Sequence, residues 1–378
     1  MRSQARPGPL DALRALLPGV LAEAAELDHD GAFPSGSVAA LREAGLLAAP
    51  LATGLGGAGW GLEPLAARDT ATALRLVGRA SLPLGRLLEG HVNALRLVQR
   101  RGAPAAVRLA AEEARAGLLF GVWNTEAPGE APLTLGADGV LRGRKILCSG
   151  AGHVARALVT ARDAADPAAP PRMVLAPLAP AERADLSPWT AQGMRASATG
   201  AVDFTGLAVG EERVVGSPGD YARQPDFSAG AWRFAAVHCG GAEAVLGHLR
   251  DHLRRTGRGG DPHQAARLGT AALAVESARL WVEAAAERAE APRAAEDPGE
   301  GAIAFVNLAR LAVERAGLDV LELAARSVGL SAYMRPNPVE RVMRDLATYL
   351  RQPNPDGALA AAARHVLEAP GHPGDLWD

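Results

Sequence analysis

The chain has 378 residues, roughly two to three domains' worth of sequence and ample length for a sizeable buried core. Apolar residues make up 48% and charged residues 22%, a globular balance that excludes a disordered chain. Forty basic against forty-two acidic residues leave a net charge of −2, so no broad cationic face for nucleic acid is expected and the partners should be small or local.

In chain order, the first seven residues lack the apolar run of a secretory leader, and no stretch approaches the roughly 18 apolar residues of a membrane span. The expectation is therefore a cytoplasmic protein. Leu13, Leu16, Leu17, Val20, Leu21 and Ala24 recur at helical spacing, with Pro18 marking a kink or a late start. A second helix is expected after Pro34, with Val38, Leu41 and Leu46 on its apolar side and a stop near Gly45. The run Gly54-Leu55-Gly56-Gly57-Ala58-Gly59 has no strand before it and no Lys-Ser/Thr after it, so it reads as a tight turn rather than a phosphate loop. Helical spacing then continues to Gly117, with breaks at Pro83 and Gly102, which predicts an all-helical domain over residues 1–117.

The pattern changes at Leu118. Short apolar runs bounded by Gly, Pro and Asp occur at 118–123, 140–148, 157–161, 173–178, 201–209 and 213–215. They predict a small antiparallel sheet or barrel over residues 118–217. No helical pattern separates the runs, which argues against a parallel sheet of βαβ units. Helical periodicity resumes over 225–370, with Leu268, Ala271, Val275, Ala278 and Val282 as the seam of a packed helix. Breaks at 257–262, 291–301 and 329–338 divide residues 230–352 into three or four long helices, the count of a four-helix bundle. The fold class is α+β, in the order helices, small sheet, helices. Cys148 and Cys239 are too far apart in sequence to suggest a disulfide framework or a zinc knuckle. The 40 basic residues include a single lysine, Lys145, which biased codon usage explains.

Several segments resemble acyl-CoA dehydrogenases. Phe33-Pro34, Leu41-Arg42-Glu43-Ala44-Gly45-Leu46-Leu47 and Gly56-Gly57-Ala58-Gly59 are similar to the N-terminal helical domain of that family. Trp123-Asn124-Thr125-Glu126 stands where the family has its Thr-Glu strand end against the flavin, and Lys145-Ile146-Leu147-Cys148-Ser149-Gly150 resembles its second flavin-contacting strand. Gly193-Met194-Arg195-Ala196-Ser197 resembles the end of the sheet domain. Pro338-Val339-Glu340-Arg341-Val342-Met343-Arg344-Asp345 resembles the family's helix-opening motif, at the family's spacing from the turn Arg326-Ser327-Val328-Gly329.

The resemblance implies a homodimeric or homotetrameric flavoprotein with noncovalent FAD. It further implies oxidation of an acyl-CoA or related acyl thioester by hydride transfer to the flavin, with an electron-transferring flavoprotein as acceptor. Trp123, Thr125 and Ser149 would then meet the flavin ring, the indole as ring contact and the hydroxyls at its polar edge. Arg258 and Gln264, together with Arg326, Val328 and Gly329 of the turn, would meet the rest of the cofactor, and the neighbouring Arg254 and Arg255 are further candidates for its phosphates. Ordinary turn and helix-end chemistry would account for each of these residues without a ligand.

Four places depart from the pattern, two of them where the family carries its base. The family's catalytic glutamate follows the Arg-Asp pair, and counting on from Arg344-Asp345 its place is taken by Pro353. Some members carry the base on the first bundle helix just before an arginine, and here Trp232 precedes Arg233. A dehydrogenase needs a base to remove the proton beside the thioester carbonyl, and its loss typically costs about 10²–10⁴ in rate. Asp356 is a weak candidate if the turn is reshaped, with Glu89, Glu126 and Glu130 weaker still. Arg326 replaces a glutamine, and Gly129-Glu130-Ala131-Pro132 replaces the usual Gly-Ser-Asp. His91 and His238 have no partner spacing that suggests a metal site or a nucleophile pair. The missing base leaves two alternatives open: a two-component monooxygenase that uses externally supplied reduced flavin, or a catalytically degenerate subunit of a hetero-oligomer.

Overall fold

The computed structural model describes residues 7–179, 181–294 and 297–377. The first residues, read above as lacking a leader, and two residues of the 291–301 loop lie outside that range. The chain divides into two compact units. The first takes the chain up to Asp69, Arg86–Thr190 and Arg195–Tyr221, and the second takes Thr70–Gly85, Ala191–Met194 and everything from Ala222 onward.

The N-terminal helices are α1 (Pro9–Glu26), α2 (Ser35–Glu43), α3 (Ala67–Ala80), α4 (Leu82–Arg101) and α5 (Pro104–Arg115). Pro18 lies inside α1, which begins well before it. Pro83 and Pro104 sit in the first turns of α4 and α5, where a missing N–H costs nothing. The glycine run forms a tight turn whose Gly57 has no room for a side chain, since a Cβ there would lie 2.0 Å from the Leu51 carbonyl oxygen.

Ten short strands follow among the described residues: β1 (Phe120–Trp123), β2 (Thr134–Leu135), β3 (Val140–Arg142), β4 (Arg144–Cys148), β5 (Arg156–Asp163), β6 (Arg172–Pro177), β7 (Ala184–Asp185), β8 (Gly200–Asp203), β9 (Leu207–Ala208) and β10 (Val214–Val215). They form a seven-stranded sheet, in which β10-β6-β5-β2-β3-β9 run in that order with β1 also on β5, and a three-stranded sheet β4-β8-β7. The expected sheet was purely antiparallel, whereas β1 and β2 both pair with β5 in parallel. The single run expected over 140–148 breaks at Gly143, whose φ of +118° only glycine adopts readily. That break sends β3 and β4 to different sheets. Helices α4 and α5 contribute Leu95, Val98 and Ala110 to the first unit's core, which continues into the sheet through Phe120, Leu158 and Met173.

The second unit is a bundle of α6 (Trp232–Arg255), α7 (Pro262–Glu290), α8 (Glu300–Val328), α9 (Pro338–Tyr349) and α10 (Pro355–Glu368), so α10 adds a helix beyond the stretch counted from sequence. A clamp ties α9 to residues 192–194. The Asp345 carboxylate accepts the Met194 N–H at 2.6 Å, Arg344 Nη1 donates to the Gln192 carbonyl, and a Cβ on Gly193 would meet the Arg344 carbonyl oxygen at 2.1 Å. The Gly-Met and Arg-Asp motifs are thus two halves of one structural contact. No helix among the described residues is long and apolar enough to cross a membrane.

His91 joins α4 to the sheet of the first unit. It is fully buried, Nδ1 accepts the Phe120 N–H at 3.0 Å, and Nε2 donates to the Leu47 carbonyl at 2.7 Å. Burial lowers its pKa from 6.5 to about 4. The unfolded chain therefore takes up this proton before the folded one does, and stability falls as pH drops from about 6.5 through 4, by up to about 3 kcal/mol. His91→Gln, which can keep both hydrogen bonds, is expected to flatten that part of the stability–pH curve in denaturant titrations. An unchanged slope would show that His91 is not the titrating group.

Candidate functional site

In the first unit, three of the residues singled out from sequence come together at the strand ends. Trp123 closes β1, is 2% exposed, and donates from Nε1 to the Ser149 carbonyl at 3.0 Å. Thr125 pairs across to Ile146 of β4, whose N–H donates to the Thr125 carbonyl at 3.0 Å. The Thr125 side chain is exposed. Ser149, half-buried beyond β4, accepts from Thr199 Oγ1 at 3.3 Å, and Thr199 in turn meets Ser197 at 2.7 Å. Between them the β4–β8 register shifts, and Leu147 sits in the bulge at φ +56° with its side chain half exposed. A strained non-glycine residue of this kind marks a backbone bent for a purpose other than pairing.

Under this surface lies the chain's only lysine. Lys145 is fully buried, paired with the Glu126 carboxylate, and donates to Thr160 Oγ1 at 3.3 Å. Burial lowers the pKa of Lys145, and Glu126 opposes that shift. Glu126 also accepts the Leu133 N–H at 3.4 Å, and the adjacent Asn124 accepts the Thr160 N–H at 2.9 Å. The segment Trp123–Glu126 is therefore fastened to β4 and β5 at every residue. Composition had reduced Lys145 to a codon effect; only the fold reveals where that ammonium is.

In the second unit, α7 begins with Asp261 as N-cap, which accepts the Gln264 N–H at 2.9 Å. Gln264 is 2% exposed and its amide oxygen has no partner among the described residues. The Ser327 hydroxyl, on the last turn of α8 and 1% exposed, is also without one. Arg258 donates to the Ser327 carbonyl at 3.4 Å, so α7's start and α8's end meet here. Val328 is buried and Gly329 ends α8 at φ +75°. Arg326 is turned elsewhere, to an exposed ion pair with Glu322 on its own helix at 2.6 Å. Arg254 and Arg255 are exposed. Two orphaned buried polar atoms are costly unless a ligand satisfies them, and an amide oxygen calls for an O–H or N–H donor. A ribityl or ribose hydroxyl, or a flavin edge, fits that donor set.

Neither residue at the two positions where the family carries its base, Trp232 and Pro353, is itself a carboxylate. Trp232 is fully buried and donates to Glu290 at 3.4 Å, and Glu290 is itself buried against Arg233 at 3.1 Å. Pro353 lies in the turn before α10, where its carbonyl accepts from Arg310 Nη2 at 2.8 Å. The Arg310 guanidinium lies 5.2 Å from the Phe234 ring, two residues beyond Trp232. Asp356 is exposed on the first turn of α10. Glu130 is held by exposed Arg144, and Glu89 is buried against Arg86 and Asn93. His238 is packed against Tyr349, ring centroids 4.5 Å apart. No group of three or more metal-ligating side chains occurs among the described residues.

Residues 220–350 match the family described as acyl-CoA dehydrogenase, C-terminal domain. The chain is 29% identical over 367 residues to amino sugar nitrososynthase DnmZ of Streptomyces peucetius, covering 89% of this chain and 87% of that protein. It resembles KijD3, solved with FMN and dTDP-3-amino-2,3,6-trideoxy-4-keto-3-methyl-D-glucose, at 27% identity and a TM-score of 0.78, over 95% of this chain and 93% of that one. It also resembles TdsC of Paenibacillus sp. A11-2, solved with FMN and indole, at 21% identity and a TM-score of 0.82, over 98% of this chain and 99% of that one. The chain has the acyl-CoA dehydrogenase fold, and its bundle carries the match to that family's C-terminal domain.

The Lys145–Glu126 pair makes an asymmetric prediction. Glu126→Gln leaves an ammonium buried with no anion, which costs about 3–5 kcal/mol, whereas Lys145→Met leaves a half-exposed carboxylate that water can solvate and should cost no more than about half as much. Denaturant unfolding of the two variants measures the order; a reversed order would contradict the burial argument.

Proposed function

We propose that the protein is a flavin-dependent monooxygenase that receives reduced flavin from a separate reductase and oxygenates the nitrogen of an amino-sugar nucleotide. The observation that carries this reading is the lack of a carboxylate at both Trp232 and Pro353. Abstraction of a proton next to a thioester carbonyl needs a positioned base, while oxygenation of an amine lone pair does not. The likeness to an amino sugar nitrososynthase and to a protein solved with FMN and an amino-sugar nucleotide supports the substrate class. FMN, the flavin of those solved neighbours, replaces the FAD and acyl-CoA suggested by the family resemblance.

The bound flavin, once reduced, supplies the two electrons that activate dioxygen. One oxygen atom joins the substrate nitrogen and the other leaves as water. The chain's own residues bind and shield. Trp123 backs the site's wall from within, its ring buried and its N–H committed to the Ser149 carbonyl. The hydroxyls of Thr125 and Ser149 stand at a polar edge, and Lys145 with Glu126 keeps that edge from moving. Gln264 and Ser327 accept from cofactor hydroxyls or N–H groups, beside Arg258 and the turn of Arg326, Val328 and Gly329. The homodimeric or homotetrameric assembly implied by the family is part of this proposal.

The purified protein, mixed with an NAD(P)H:flavin reductase, FMN, air and a dTDP-linked amino sugar, is expected to convert the amine to its hydroxylamine or nitroso product only when all components are present. Anaerobic addition of acyl-CoA should leave protein-bound flavin oxidised. Bleaching of the flavin with formation of an enoyl thioester would overturn the proposal in favour of a dehydrogenase, and failure to bind any flavin would favour a degenerate subunit.

A further inference from the structure

Arg310 is a half-buried guanidinium on α8 whose Coulombic carboxylate neighbour is Glu314, one turn on. Its single hydrogen bond goes to the Pro353 carbonyl, and one face rests on Phe234. No carboxylate stands within ion-pair distance among the described residues. Glu314, one turn on, is taken by Arg351 at 2.8 Å, and Asp356 is not paired with it. Burial lowers the pKa of Arg310, and the charge of Glu314 only partly opposes that shift. One turn before it on the same face is Asn307, 6% exposed, whose side chain makes no hydrogen bond among the described residues.

A half-buried cation with four N–H donors that no protein acceptor takes, beside a buried amide without a hydrogen bond among the described residues, is open to an anionic ligand. The guanidinium fork matches the oxygens of phosphate in spacing and charge, and the amide adds a donor one turn away. We infer that Arg310 and Asn307 form an anion subsite in the bundle that takes a phosphate group of a bound ligand, with Phe234 and the Pro353 carbonyl holding the guanidinium in place. Resting on the function proposed above, the phosphate has two possible sources: the nucleoside diphosphate of the substrate or the phosphate of FMN.

The test is isothermal titration of the full-length, flavin-free protein with dTDP and, separately, with FMN. Arg310→Gln is expected to weaken one of the two by about ten- to a hundred-fold, the size of a lost charged hydrogen-bonded contact, with Arg310→Lys recovering part of it. Arg315→Gln, on the exposed side of the same helix, should change neither. Loss confined to dTDP assigns the subsite to the substrate, and loss confined to FMN assigns it to the cofactor. Parent-like binding of both ligands by Arg310→Gln would overturn the inference. Should that variant not fold, phenylglyoxal labelling of the unaltered protein gives the same answer: dTDP or FMN protects Arg310 if the inference holds, and protection by neither overturns it. Tight binding of FMN without binding of dTDP would instead count against the amino-sugar reading while leaving the subsite to be judged on FMN alone.

Discussion

The chemistry open to this protein is limited by the charges its bundle can hold. At the two places where an acyl-CoA dehydrogenase keeps a carboxylate, this chain has an indole and a proline carbonyl, and the group that reaches that carbonyl is a cation. An indole and an amide carbonyl bind protons far too weakly to serve as bases near neutral pH, and a nearby guanidinium weakens any base further by stabilising its negative form. On the function proposed above, a dehydrogenase half-reaction would have no base at either place for its first step. A reaction that begins from a neutral nucleophile and draws its driving force from dioxygen loses nothing by the same exchange.

The first unit shows a different use of buried charge. Lys145 and Glu126 do not stand as an isolated pair; Thr160, Asn124 and Leu133 take part in the surrounding hydrogen bonds, with the Asn124 Nδ2 left over among the described residues. Such networks rigidify what they join. Here they join the end of β1 to β4 and β5, beneath Trp123 and Thr125. A flat aromatic cofactor demands that its wall and its polar edge keep fixed relative positions.

Much of the architecture was readable in sequence because periodicity reports burial directly. The helical spacing of Leu13 to Ala24, the breaks at Pro83 and Gly102, and the seam from Leu268 to Val282 each correspond to a helix or its end. Pairing direction was not readable, since a four-residue strand such as Phe120–Trp123 has the same pattern whichever way its partner runs. The candidate site divides similarly. Trp123, Thr125 and Ser149 were proposed from motif resemblance, and Gln264 from its place at a helix break. Arg310 was not, because an arginine at an ordinary position of a 29-residue helix carries no local signal; its meaning comes from Pro353 and Phe234, which are distant in sequence. Lys145 stood out by count, yet a count gives no position.

The central claim is that molecular oxygen, and not an acyl carbon, is the flavin's reaction partner. Mass spectrometry of the product formed under ¹⁸O₂ with reductase-supplied FMN tests it most directly. The account predicts that the new nitrogen-bound oxygen is heavy; a product labelled only from ¹⁸O-water, or turnover that continues unchanged without oxygen, would contradict it.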